Sequence, residues 1–111
     1  MASVTMKFKC DNGSKNIHEL ASTLRRELDA QVVYETYRDL RSAAVLLLSF
    51  ERYYLRNNSY TSLTIMIIET GMVQTVDIIS SGGDIGIFNT NKSFAEKAAD
   101  LFRKYGYQEM N

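Results

Sequence analysis

Val4, Met6, Phe8 and Cys10 alternate with Thr5, Lys7 and Lys9, a period of two that predicts a strand with one buried face. The period then changes. Ile17, Leu20, Ala21, Leu24 and Leu28 recur at helical spacing after the turn-forming run Asp11-Asn12-Gly13-Ser14, and with Asn16 and Glu19 as a start signal they predict a helix over 16–29. Residues 31–38, 43–55, 61–70 and 73–80 are dense in Val, Ile, Leu, Tyr and Thr, with breaks at Asn57-Asn58-Ser59 and Glu69-Thr70-Gly71; they predict four strands. Ser93 and Glu96 have capping-box spacing, Phe94, Ala98, Leu101, Phe102 and Tyr105 follow on one helical stripe, and Gly106 offers a C-cap. A second helix with Ser93 as its N-cap is therefore predicted.

Residues 39–56 compete for two assignments. Leu40, Ala43, Ala44, Leu47 and Leu48 form a helical stripe, but Glu51 breaks it and Val45, Leu46 and Phe50 fall off it, which favours strand. The order β-α-β-β-β-β-α, with short turns and no repeat or linker, predicts one domain over 1–111: a two-layer α+β sandwich in which two helices cover one face of an antiparallel sheet of about five strands. This order is similar to that of TATA-binding-protein-like and helix-grip folds, a likeness of topology that carries no function.

The strands are apolar on both faces. Leu46, Leu48 and Phe50 oppose Val45 and Leu47; Leu63, Ile65 and Ile67 oppose Met66 and Ile68; Val76 and Ile78 oppose Val73 and Ile79. Two helices cap one face only, so the other is expected to expose an apolar patch whose simplest cover is a second copy of the chain. A homodimer or higher homo-oligomer follows as the expected partner.

Charge and cysteine content narrow the classes. Thirteen basic residues balance thirteen acidic ones, which removes the basic footprint of a nucleic-acid or membrane-surface binder. One cysteine and one histidine, Cys10 and His18, provide neither a zinc ligand set nor a disulfide and point to a reducing, cytoplasmic setting with no cofactor or metal. Residues 1–10 lack the apolar core of a signal peptide, and the longest uncharged stretches, 42–50 and 57–68, are shorter than the roughly 20 residues of a membrane span.

Three segments carry candidate chemistry. Residues 86–93, Gly-Ile-Phe-Asn-Thr-Asn-Lys-Ser, differ by one position from a phosphate-binding P-loop, with Asn91 in place of its second glycine; the parallel βαβ core that such a loop needs has no room in this order. A milder anion site is expected from Gly82, Gly83, Asp84 and Gly86 together with Lys92 and Ser93, where a backbone nest meets a helix N-terminus. The competing reading of the glycines is a hairpin or bulge.

Phe50, Glu51, Arg52, Tyr54 and Arg56, within an aromatic and arginine-rich run, are expected at an interface rim or groove. A carboxylate pair drawn from Glu51, Asp77 and Asp84, and a Cys10–His18 nucleophile pair, are unsupported by spacing.

Phe50 to Arg56, Thr61 to Thr64, Ser81 to Gly83 and Gly86 to Phe88 resemble a family of small bacterial proteins classed as a domain of unknown function. The resemblance spans nearly the whole chain and implies a cytosolic protein with no assigned activity or catalytic residues. The expected function is a non-enzymatic binding or assembly module that self-associates through its sheet; the alternative is a binder of a small apolar or anionic ligand beside the loop 80–88.

Overall fold

A computed structural model describes residues 3–12, 15–55, 58–82 and 90–111, with the side chains of 90 and 91 left aside. The elements run β1 (Ser3–Cys10), α1 (Ile17–Glu27), β2 (Gln31–Leu40), β3 (Ala43–Tyr54), β4 (Ser59–Thr70), β5 (Val73–Ser81), α2 (Thr90–Lys104) and β6 (Gln108–Met110). The strands form one antiparallel sheet in the order β2-β3-β4-β5-β1-β6. The α+β class and the order β-α-β-β-β-β-α agree with expectation, and within 39–56 residues 39–40 end β2 and 43–54 form β3. The count of five strands is corrected to six.

The sixth strand follows from how α2 ends. Gly106 takes φ 88, a left-handed conformation that costs glycine little. Its N–H bonds to the Arg103 carbonyl at 3.0 Å and the Tyr107 N–H to that of Phe102 at 3.0 Å, the paired bonds of a Schellman motif. Tyr107 and Phe102 complete the motif with an edge-on ring contact at 5.3 Å. The chain thereby reverses, and Gln108, Glu109 and Met110 pair with Lys9, Phe8 and Lys7. Arg103 ties the reversal back to the helix, reaching Glu96, Asp100 and Glu109 at 2.9 Å each.

At the other end of α2 the expectation also needs correction. The helix begins at Thr90, so Ser93 is an exposed first-turn residue and not the N-cap. Asn16 does cap α1, its side chain accepting from the His18 N–H at 2.8 Å.

Both helices lie on one face. Leu46, Leu48, Phe50, Leu63, Ile65, Ile67, Val76, Ile78 and Phe8 point into the layer between sheet and helices and are buried. α2 packs on β1, β5 and β4, and α1 on β3. Ala95, Ala98 and Ala99, all at zero exposure, let α2 approach the sheet closely, while Phe94 and Phe102 fill the space on either side.

The largest polar side chain among the buried residues is that of Gln74. Gln74, fully buried, donates to the Lys15 carbonyl at 2.8 Å and to Glu69 Oε2 at 2.6 Å, and its Oε1 accepts from the Tyr107 hydroxyl. Its three bonds join β5 to the approach of α1, the end of β4 and the start of β6, so the group is satisfied where an orphan amide would be destabilising.

Candidate functional site

The face that neither helix covers is the largest chemical feature of the molecule. Cross-strand registers assemble it row by row. Thr36, Leu47, Met66, Asp77 and Lys7 form one row, Arg38, Val45, Ile68, Thr75 and Lys9 a second, and Tyr34, Ser49, Thr64, Ile79 and Thr5 a third. Val45, Leu47, Met66 and Ile68 are half-buried by their neighbours alone, and Ile79 is 46% exposed. This apolar centre has a polar border of Arg38, Lys9, Lys7 and Asp77, with hydroxyl pairs inside it: Ser49 with Thr64 at 3.3 Å and Ser62 with Ser81 at 3.0 Å. Tyr53 and Tyr60 meet at 5.1 Å at one end of the same face.

Alternation made this arrangement legible. In β3, β4 and β5 every second residue is core, and the intervening Val, Leu, Met and Ile are larger than a solvated face requires.

The residues singled out from sequence divide between places. Phe50 is fully buried between β3 and the helices and belongs to the core, not to a rim. Glu51 is exposed on the open face, opposite Gln31 and Ser62. Arg52 and Tyr54, of opposite parity, project on the helix side. The Arg52 guanidinium lies over the Tyr54 ring at 5.1 Å and meets Asp29 at 3.8 Å. Burial raises the Tyr54 phenol above its usual pKa, and the Arg52 charge opposes that shift.

Gly82 belongs to the same end of the sheet. Its carbonyl accepts from Thr61 Oγ1 at 3.5 Å, and Thr61 is the cross-strand partner of Arg52. With φ 85, and with the Tyr60 carbonyl oxygen 3.1 Å from where a Cβ would stand, this position needs glycine for backbone reasons alone. Lys92 and Ser93 are exposed in the first turn of α2. Gly83, Asp84, Gly86 and Arg56 lie outside the described residues, as do residues 86–89 of the P-loop-like segment. A shallow groove of about 390 Å³, lined by Asp29, Gln31, Glu51, Arg52 and Tyr60 among others, runs round the end of β2.

Among the described residues, the carboxylate and Cys–His pairs weighed from the sequence are not brought together. Glu51 and Asp77 share the open face but stand two strands and four residues apart, roughly 16 Å by strand geometry. His18 packs on Tyr37 of β2 at 4.5 Å, whereas Cys10 sits in β1, four strand spacings or about 19 Å away. Among the described residues no group of three or more His, Cys, Asp or Glu is placed to hold a metal ion. No helix among them is long and apolar enough to cross a membrane.

A family model described as "Family of unknown function (DUF6054)" matches residues 1–105. The chain belongs to this family. The match takes in every element except β6. No curated protein matches the chain. Membership therefore places the fold in a group without assigning an activity to it.

Proposed function

We propose that this protein is a non-enzymatic assembly module whose helix-free sheet face packs against the same face of a second copy. The observation that carries the reading is the contiguous set Val45, Leu47, Met66, Ile68 and Ile79, spread over three adjacent strands on the side without helices. Apolar clusters rimmed by charge are characteristic of interaction sites, and a self-complementary face forms a two-fold pair with no other gene product.

The dimensions suffice. Five strands by eight residues cover about 24 by 26 Å, on the order of 600 Å² in projection and more in accessible area. A standard interface buries about 800 Å² per partner. Two such faces stack at about 10 Å with their strands within about 30° of each other, which brings Leu47 and Met66 of each copy into a shared dry centre.

Met66→Lys tests this reading. It places a charge at the centre of the face, outside the folded core, so the monomer should keep its far-ultraviolet circular dichroism while the mass measured by light scattering falls by half. An unchanged mass would remove the face from the assembly.

A further inference from the structure

The sheet has two edges, and they are unlike. On one side β6 is three residues long and covers β1 only at Lys7 to Lys9, which leaves Ser3 to Met6 as a short stretch of edge among the described residues. β2 is ten residues long and, among the described residues, pairs only with β3. About half of its backbone N–H and C=O groups therefore point away from the sheet, the arrangement that templates pairing with another strand. Proteins that keep such an edge to themselves protect it with proline, charged side chains, covering elements or bulges spread along it. β2 reads QVVYETYRDL, with neither proline nor lysine, and its three charges, Glu35, Arg38 and Asp39, are of mixed sign, so they exclude some pairings with a second copy and permit others. Its one bulge, at Val32/Tyr34, leaves Tyr34 to Leu40 regular. Val33, Tyr34, Tyr37 and Leu40 are all among the exposed large apolar or aromatic side chains, at 37% to 55%.

We propose that β2 pairs antiparallel with β2 of a second copy about a two-fold axis through Thr36, joining two six-stranded sheets edge to edge. This contact uses a different surface from the face proposed above and stands without it. Within the regular stretch Tyr34 to Leu40, beyond the bulge, charge selects the register. A two-fold axis perpendicular to the sheet keeps each side chain on its own side, so opposed residues must have the same parity. Centred on Thr36, the strand sets Tyr34 opposite Arg38 twice on the open side and Glu35 opposite Tyr37 twice on the helix side, and no like charges meet. Centred on Tyr37, Glu35 faces Asp39 twice; centred on Glu35 or on Arg38, that residue faces its own copy. Like charges directly opposite are destabilising, whereas an arginine beside an aromatic ring is favourable. The Arg25–Glu35 pair at 2.7 Å and the His18–Tyr37 contact hold the helix side of β2 in place before any partner arrives.

Opposed residues in an antiparallel pair have Cα atoms about 4.5 to 5.5 Å apart, within the span of a disulfide. In a Cys10→Ala background, Thr36→Cys should therefore cross-link to a covalent dimer under mild oxidation, and Tyr37→Cys should not. Thr36→Lys sets two lysines face to face at the axis and should halve the mass seen by light scattering with circular dichroism unchanged. A Thr36→Cys chain that stays monomeric under oxidation, a Tyr37→Cys chain that cross-links instead, or a Thr36→Lys chain with the wild-type mass would overturn the proposal. The two contacts separate cleanly: mass lost with Thr36→Lys but kept with Met66→Lys retains the edge and discards the face, and the reverse discards the edge.

Discussion

Tyr54 illustrates how the end of a strand can shift the ionisation of a side chain through burial and a neighbouring charge. Burial on the helix side disfavours the phenolate and raises its pKa above the ordinary 10.0, and the Arg52 guanidinium stacked on its ring acts in the opposite direction. With the folded value raised, the folded state holds the phenolic proton after the unfolded chain has released it. The stability linked to this proton is complete below pH 10.0, the unfolded value, and is lost as pH rises through the folded one. Tyr54 should thus ionise late in an ultraviolet tyrosinate titration, identified by its disappearance in Tyr54→Phe, and Arg52→Gln should move that step later still. A Tyr54 step no later than that of a free tyrosine would show that the ring is solvated. Gly82, one row away, has a backbone reason of its own to be glycine.

The close fit of α2 to the sheet depends on three alanines. Ala98 has no exposure, and leucine there forces the helix outward from β1 and β5. Overpacking of this kind costs about 1–3 kcal/mol, so Ala98→Leu should lower the thermal midpoint by several degrees, whereas a midpoint equal to wild type would mean that the layer is looser than its burial implies. These elements were legible in the sequence because their periodicities are long: Phe94 to Phe102 repeats at helical spacing, and β3, β4 and β5 alternate over nine to twelve residues. β6 was not, since three residues give no period and its pairing depends on the turn at Gly106. The start of α2 was missed because Ser93-x-x-Glu96 imitates a cap inside a helix that already begins at Thr90. The open apolar face could be read from alternation. The unguarded edge could not, because strand order is a property of the whole sheet, and nothing local to residues 31–40 says that only one side of β2 is paired.

At the scale of the molecule the two ends of the sheet are held very differently. α2 lies across β1, β5 and β4, whereas β2 has one strand neighbour and is touched by α1 through Arg25–Glu35 and His18–Tyr37. The radius of gyration is 14.0 Å, against about 13 Å expected for this length, and the extents are 43 × 26 × 22 Å; the fold is elongated. Its formal net charge is zero, so copies approach without long-range repulsion. Amide hydrogen exchange turns this asymmetry into a measurement, because local opening follows the number of neighbours an element has. In Thr36→Lys, the outward amides of β2 should exchange at the rate of solvated amides while β4 and β5 stay protected. In the wild type, a β2–β2 ladder adds bonds to those same amides, and their protection should rise with protein concentration as the paired fraction grows. Concentration-dependent protection confined to the open face, or shared evenly by every strand, would place the contact between copies away from this edge.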